Sequence, residues 1–549
     1  MILTIFDLIS IFIIFTSFGG IVSLISQHFM ALPSLFLGLL ATSMAVLYAY
    51  RKKSFSINVK RLLILLPIIF FALIFRSDPY LYIMGGQDEG TYINMSATYN
   101  RDGRTIIKDN VRKNIKNLEL LSLYDQANQK GFVGIKKVAN NIPGIIPKMS
   151  EGAHIPGIYI KDSRPSASKY VFQFYSLYPI WLAIGAKIFG PENRVWIQVV
   201  FSLLSIAFMY LLVFELTNNE KAAVCSAILL ATNVLHIYFS KFSVTEVTAL
   251  TFSLAGFYYL TKFYNLSRKH QTGFFYLLLS SSLFWCYFMT RISAFLYLPF
   301  FALILLFSIV FIQQTKSAKQ YLKYSLLTIA LYFLSVIYGL AFSFPYAFDI
   351  YSHVLTRIFP SHFTFKHLAA CFAVMTLSFS VIFIAGKTNK KLSKYLSSNK
   401  KFLISLSNKT FLFFVYILIL LSIYTVYKMM YSTPTNINEA LLRNYPRANM
   451  GLKSLPFTSA HIIYQLFNVA GLIICAIGIH KYRKYITDLR ATFLYCFTCL
   501  ALIYNGLMQY LIPYQYYYSR YLMVQTIPII IIFISFILGR LYEGSKNED

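Results

Sequence analysis

The chain has 549 residues, of which 57% are hydrophobic and 13% are charged, and its mean hydropathy is +0.59. Because soluble domains carry about 25% charged residues, this composition excludes an ordinary soluble protein and predicts a polytopic membrane protein. The formal net charge of +30 does not indicate a nucleic-acid partner, since the lysines and arginines fall in short clusters between apolar runs. That pattern is typical of the positive-inside rule and of contact with anionic membrane lipids.

Fourteen apolar runs approach the roughly 20 residues that a membrane-spanning helix needs. The weakest is 62–76, which is short. The sequence therefore predicts an all-α polytopic membrane protein with about 14 transmembrane helices. They are expected at residues 3–26, 31–50, 62–76, 195–217, 222–240, 243–263, 273–290, 293–313, 324–345, 367–386, 410–431, 458–479, 491–511 and 520–540.

The basic clusters in the short loops predict the orientation of these helices. If the N-terminus lies in the cytoplasm, nearly all of the basic clusters fall on the cytoplasmic side, including the loop 387–409 with its seven lysines. The tail 541–549 is then cytoplasmic too, in a multi-pass protein of the cell membrane, and the long loop 77–194 is extracytoplasmic. The segment 171–190 is apolar, but a crossing there would turn 387–409 outward, so we expect an interfacial or partly inserted helix instead.

The long loop carries the best candidates for chemistry. Nine of the 20 acidic residues of the chain lie within 77–170, and two of them, Asp88 and Glu89, are adjacent. They follow two glycines and are expected to begin a short helix over residues 89–100. A carboxylate at a helix N-terminus is held ionised and can take a proton from a substrate hydroxyl. The pair is therefore a candidate catalytic site, and the alternative is a plain helix cap.

Charged residues also stand at the predicted outer ends of the spans. Lys241 and Glu246 flank one such end, and a glutamate there is costly and is usually paired or functional. It could bind a ligand, or it could form a structural salt bridge. Arg291 and Arg520 lie at two further ends, the second directly after Tyr518. An arginine beside aromatic rings could hold the phosphate of a lipid carrier, and snorkelling to lipid headgroups is the alternative.

The sequence offers little support for a metal site or a cofactor. His154, His353 and His362 are far apart and lack the spacing of metal ligands. Cys496 and Cys499 form a C-x-x-C pair within an apolar run that has no second pair nearby, which favours a packing role. We therefore expect no cofactor and no metal centre defined by the protein, and we leave open whether a divalent metal binds.

The order of these motifs resembles the GT-C superfamily of integral membrane glycosyltransferases, and within it the protein O-mannosyltransferase-like and aminoarabinose-transferase-like families. The resemblance covers the region 62–540, and residues 1–61 precede it with two extra transmembrane helices and a basic cytoplasmic loop. Relatives often have a histidine near Tyr178, where this chain has Ser176. The matching stretches are residues 85–92, 172–179, 182–183, 189–190, 242–246, 290–291 and 519–522.

The resemblance implies a GT-C fold and an inverting transfer of a sugar from a polyprenyl-phosphate-linked donor. The acceptor would be a glycan, a lipid or a protein outside the cytoplasm, and membrane lipids would be the other partners. Carried onto this sequence, Asp88 becomes the base or acceptor-orienting carboxylate, and Glu89 supports it. The donor phosphate would be bound by Arg520, Arg291 and Lys241. The residues implied to contact substrate are Tyr92, Tyr178, Glu246 and Tyr518.

Two other classes of membrane protein stay open. A transporter or flippase for a lipid-linked saccharide would also have many spans and intramembrane charges, although transporters usually show repeated halves. An O-antigen polymerase or ligase would also have a large outward loop. Such a protein would be expected to use arginines in a later loop, so the early position of Asp88 speaks against it.

Overall fold

The computed structural model describes residues 3–82, 88–108, 110–117, 119–120, 157–162, 169–268, 273–298, 300–302, 304–305, 316–343, 346–347, 455–482 and 519–544. Most of these residues are helical, as predicted. The helices are α1 (Ile5–Ile25), α2 (Ala31–Arg51), α3 (Val59–Arg76), α4 (Asp88–Asp102), α5 (Asn110–Asn114), α6 (Leu177–Phe189), α7 (Trp196–Thr217), α8 (Glu220–Ala231), α9 (Val234–Ser240), α10 (Thr245–Arg268), α11 (Phe274–Phe288), α12 (Lys316–Phe342), α13 (Leu455–Tyr482), α14 (Arg520–Val524) and α15 (Thr526–Gly544).

Within this described part of the chain, four helices are long and apolar enough to cross a membrane. They are α1, α2, α7 and the Lys319–Phe342 part of α12, and the bent pair α8 and α9 makes a fifth if it is one span. These helices identify a membrane protein. Three predicted spans, 367–386, 410–431 and 491–511, lie outside the described residues. The total of about 14 spans therefore stays a prediction.

A small antiparallel sheet interrupts the helices. Its strands are β1 (Ile106–Lys108), β2 (Ile158–Asp162) and β3 (Lys169–Phe172), in the order β1-β3-β2. The sequence predicted only helices and loops here, with a helix that begins at residue 171. Strands of three to five residues show too little alternation to be recognised. In addition, β1 pairs with β3 across a long stretch of chain, with Ile106 opposite Val171. The helix itself begins at Leu177.

Helix α6 lies at the centre of the described structure. Every residue from Leu177 to Ala186 is buried, and α1, α2, α4 and α7 pack around the helix. The Trp181 indole N–H donates to Ser17 Oγ of α1 (3.1 Å). Gly20 of α1 is so close to α6 that a Cβ atom at this position would lie 2.5 Å from Ile180 Cγ2. The two N-terminal helices are therefore part of the same core as α6.

The turn between α1 and α2 contacts the polar segment that follows α4. The Gln27 side-chain amide donates to Thr105 Oγ1 (2.9 Å), and its carbonyl accepts from the Thr105 backbone N–H (3.3 Å). The Phe29 backbone N–H donates to the Gly103 carbonyl (2.9 Å). These bonds anchor the C-terminal end of α4 to the N-terminal helix pair. The contact gives residues 1–61 a role in holding the loop that carries Asp88.

A fully buried arginine fixes the end of α3. The Arg76 guanidinium donates to Ser202 Oγ (2.6 Å) on α7 and to the Ala231 carbonyl (3.0 Å) on α8. It also contacts His236 Nδ1 (2.7 Å) on α9. Because buried charge must be hydrogen-bonded to be tolerated, these bonds hold α3 against three helices. The chain leaves α3 from this fixed point and leads on to Asp88.

Candidate active site

Asp88 and Glu89 are the first two residues of α4, where the sequence predicted a helix to begin. The Asp88 side chain is 30% exposed, whereas Glu89 is buried. The Glu89 backbone carbonyl accepts a hydrogen bond from Ser243 Oγ (3.3 Å) in the segment before α10. The start of α4 is thus attached to the start of α10, and this attachment places Asp88 beside Glu246.

Arg520 bridges two carboxylates from different parts of the chain. It is the first residue of α14, and its side chain is 2% exposed. Its Nη2 donates to Asp88 Oδ2, and its Nε lies 3.1 Å from Glu246 Oε1. The two edges of one guanidinium therefore face two different acids.

Arg291 shares the same glutamate. It follows α11, and its Nη1 lies 2.6 Å from Glu246 Oε1 and donates to Thr245 Oγ1 (3.0 Å). Its Nε donates to Ser293 Oγ (3.2 Å). Glu246 Oε1 is thus positioned between the Arg291 and Arg520 guanidiniums. Because a buried carboxylate is stable only when it is paired and hydrogen-bonded, this sharing explains how Glu246 is kept ionised.

The ring of Tyr521 lies against both arginines. The Cζ atoms of Arg291 and Arg520 are each 5.1 Å from its ring centre. Nη2 of Arg520 also donates to the Tyr521 hydroxyl (3.2 Å). These distances are within the range of cation–π contact, so the ring helps to hold two like charges in one place. Tyr521 was not among the predicted site residues, although its position directly after Arg520 was a usable signal.

Two tyrosines form the aromatic wall beside the charged cluster. Tyr92 lies one helical turn after Asp88, and its ring stacks on Phe174 (4.5 Å between centres) and meets the edge of Tyr178 (5.2 Å). Burial raises the pKa of Tyr92 well above its ordinary value, and the negative charge of Asp88 raises it further. Burial likewise raises the pKa of Tyr178, with Glu246 adding to the effect. Both hydroxyls therefore stay protonated at neutral pH and are able to donate a hydrogen bond.

The structure brings some of the predicted site residues together and leaves others apart. Asp88, Glu246, Arg291 and Arg520 form one connected cluster, with Glu89, Tyr92 and Tyr178 around it. Lys241 makes different contacts: its ammonium lies 5.5 Å from the centre of the Tyr80 ring, and its carbonyl accepts from the Tyr80 N–H (2.8 Å). Tyr518 lies outside the described residues.

The cluster combines cationic hydrogen-bond donors with carboxylate acceptors. Two buried guanidiniums provide donors that match a phosphate group, and Asp88 is the most exposed of the acids beside them. Buried charges of both signs are expensive to keep and are concentrated at functional sites. Across the described ranges, no group of three His, Cys, Asp or Glu side chains is arranged to hold a metal ion.

The fold and the site define a helical membrane protein with a carboxylate–arginine cluster at the meeting point of α4, α10 and α14. No protein-family model and no curated protein matches the chain. Among solved structures, an oligosaccharyltransferase from Archaeoglobus fulgidus matches with 13% identity and a TM-score of 0.46. The match covers 88% of this chain and 49% of that one. This chain therefore spans about half the length of the oligosaccharyltransferase.

Two further structures match the chain with lower TM-scores. AglB from Archaeoglobus fulgidus, in complex with an inhibitory peptide and a dolichol-phosphate, has 13% identity and a TM-score of 0.43. That match covers 89% of this chain and 52% of AglB. ArnT from Cupriavidus metallidurans has 10% identity and a TM-score of 0.30, over 88% of this chain and 78% of ArnT. These proteins are GT-C glycosyltransferases, the superfamily that the sequence resembles. Because all three TM-scores are below 0.5, the functional inference rests on the site and not on these similarities.

Proposed function

We propose that this protein is an inverting membrane glycosyltransferase. It moves a sugar from a polyprenyl-phosphate-linked donor to a hydroxyl of a glycan, lipid or protein acceptor on the extracytoplasmic side. The observation that carries the proposal is the ion-paired cluster of Asp88, Arg520, Glu246 and Arg291. It places the partly exposed carboxylate of Asp88 against the buried guanidinium of Arg520, which Glu246 links to Arg291, so a proton acceptor adjoins a candidate phosphate site.

The reaction needs little covalent chemistry from the protein. The acceptor oxygen forms a bond to the anomeric carbon, and the bond from that carbon to the phosphate oxygen breaks. The polyprenyl phosphate leaves with the electron pair, and the acceptor proton passes to Asp88. Because a phosphate is already a competent leaving group, the protein must align the two substrates, remove one proton and stabilise one developing charge.

Each part of the cluster has one task in this scheme. The guanidiniums of Arg291 and Arg520 stabilise the negative charge on the departing phosphate, since their planar forks match its oxygens. Glu89 supports Asp88 from the next position of α4. Tyr92 and Tyr178 contact the bound sugar or acceptor. Lys241 is a weaker candidate for binding the phosphate, because its ammonium lies over the Tyr80 ring.

The test is transfer by the purified protein from a panel of radiolabelled polyprenyl-phosphate sugars to membrane-extracted acceptors. The proposal predicts a labelled acceptor whose new bond has the anomeric configuration opposite to that of the donor. Retention of configuration would contradict the mechanism. Movement of the labelled lipid between vesicle leaflets, with no labelled acceptor from any donor, would contradict the proposal and favour a flippase.

A further inference from the structure

We infer that Glu246 is a positioning residue that holds Arg520 in place while its Nη2 is exchanged between Asp88 and the donor phosphate. The inference rests on the proposed function and assigns a separate task to each edge of the Arg520 guanidinium. The Nε edge stays on Glu246 throughout. The Nη2 edge binds Asp88 before the donor arrives and binds phosphate afterwards.

The burial of the two acids separates a fixed contact from an exchangeable one. Glu246 has 2% of its side chain exposed, whereas Asp88 has 30%. A ligand that approaches Arg520 from the open side therefore meets the Asp88 edge first. The Glu246 edge lies deeper, where water and ligand reach it less easily.

Glu246 also determines where the second arginine stands. Its Oε1 lies 2.6 Å from Arg291 Nη1 and 3.1 Å from Arg520 Nε. Two guanidiniums repel each other, and a carboxylate oxygen between them offsets that repulsion because it attracts both of them. Glu246 therefore brings two arginines from separate segments, Arg520 of α14 and Arg291 after α11, into one candidate phosphate site.

The exchange has a consequence for the order of substrate binding. While Arg520 holds Asp88, part of the carboxylate is occupied and faces a cation. Donor phosphate draws the Nη2 edge away, and the released Asp88 oxygen can accept a hydrogen bond from the acceptor hydroxyl. We therefore expect donor to bind before acceptor, with Asp88 acting as a competitor of the phosphate in the empty site.

The experiment measures binding of polyprenyl phosphate, without a sugar, to the purified full-length protein. Five proteins are compared: wild type, Asp88→Asn, Glu246→Gln, Glu246→Asp and the control Glu220→Gln. Glu220 also stands at a helix start, but it pairs with Lys60 and is outside the cluster. Asp88→Asn should bind polyprenyl phosphate several-fold more tightly than wild type, because the competing charge is gone. Glu246→Gln should bind it at least about tenfold more weakly, Glu246→Asp should recover part of the loss, and Glu220→Gln should match wild type.

Two further readouts separate positioning from a structural or substrate-binding role. In transfer assays, Glu246→Asp should raise the donor KM and leave the acceptor KM unchanged. A higher acceptor KM would mean that Glu246 contacts the acceptor, and it would overturn the inference. If Glu246→Gln fails to fold, the inference is tested by comparing polyprenyl phosphate binding by Asp88→Asn and by wild type. Equal or weaker binding by Asp88→Asn overturns the inference. If wild type binds no polyprenyl phosphate at all, both the inference and the proposed function fail.

Discussion

Arg520 and Asp88 form an ion pair although 432 positions separate them in the sequence. Nη2 of the arginine, at the start of α14, donates to the carboxylate that begins α4. Arg520 also faces Glu246 of α10, so the pair joins three distant segments. The candidate catalytic carboxylate is therefore positioned by α14 as much as by its own loop.

Replacement of Arg520 by lysine tests the need for a forked cation. Lysine keeps the charge but has one point of contact, so it cannot face Asp88 and Glu246 on two separate edges. A charged hydrogen bond is worth about 1.5–3 kcal/mol, which corresponds to a donor KM that is about tenfold higher or more. The measurement is steady-state transfer with donor concentration varied. Arg540→Lys is the control, since Arg540 is exposed near the C-terminal end of α15. An unchanged donor KM for Arg520→Lys would contradict the assignment of Arg520 to the donor phosphate.

The close contact of α1 with α2 predicts the effect of a small substitution at Gly38. A Cβ atom there would lie 2.8 Å from the Phe12 carbonyl oxygen, which belongs to the backbone and cannot move aside without shifting the helix. Gly38→Ala should therefore lower the stability of the protein by about 1–3 kcal/mol. Thermal unfolding in detergent measures the change. Met44→Ala, at an exposed position of α2, should have little effect.

The result also tests whether the N-terminal helices support the site. Gln27 and Phe29, in the turn after α1, are hydrogen-bonded to the segment that ends α4. Separation of α1 from α2 should therefore reduce transfer as well as stability. A Gly38→Ala protein that unfolds earlier but keeps full transfer below its unfolding temperature would show that α1 and α2 do not position α4.

The buried tyrosines predict how stability responds to alkaline pH. Burial raises the pKa of Tyr92 and Tyr178 well above the ordinary value, so both stay neutral in the folded protein. An unfolded chain ionises its tyrosines near pH 10. Their contribution to stability is therefore complete below about pH 10 and is lost as the pH rises above it. Thermal unfolding midpoints should be level from neutral pH to that point and should then fall.

The variant Tyr92→Phe measures how much the ionisation of Tyr92 contributes to the fall of the unfolding midpoint at alkaline pH. The phenylalanine keeps the stack on Phe174 and removes the group that titrates. The variant should be as stable as wild type at pH 7, and its unfolding midpoint should fall less steeply above pH 10. An identical decline in the two proteins would show that ionisation of Tyr92 is not coupled to unfolding.

The sequence predicted those features of the fold that depend on local composition. Apolar runs indicated α1, α2 and α7, and the acidic pair after two glycines indicated the start of α4 at Asp88. The small sheet was missed because β1, β2 and β3 are too short to show a period, and because β1 pairs with β3 across a long stretch of chain. Pattern alone cannot predict such pairing, since it depends on how the intervening chain folds.

The same reasoning applies to the candidate site. Glu246, Arg291 and Arg520 could be selected because they are charges at the ends of apolar runs, where charge is costly. Asp88 could be selected because it and Glu89 are adjacent acids at a predicted helix start. Their mutual pairing could not be predicted, because each lies on a different segment. The sequence assigned Arg520 to a phosphate and left Glu246 open between ligand binding and a structural salt bridge, and the structure shows the two side chains facing each other. Their roles toward a substrate stay predictions.

The most direct test of the account compares transfer by Asp88→Asn with transfer by Asp102→Asn. Both changes remove one negative charge from α4, at its first and last residues, and Asp102 pairs only with the neighbouring Arg101 among the contacts described for it. With donor and acceptor saturating, Asp88→Asn should lose at least about a hundredfold in the rate of transfer, the usual contribution of a general base. Asp102→Asn should retain the wild-type rate. Full transfer by a correctly folded Asp88→Asn protein would contradict the central claim that Asp88 accepts the proton.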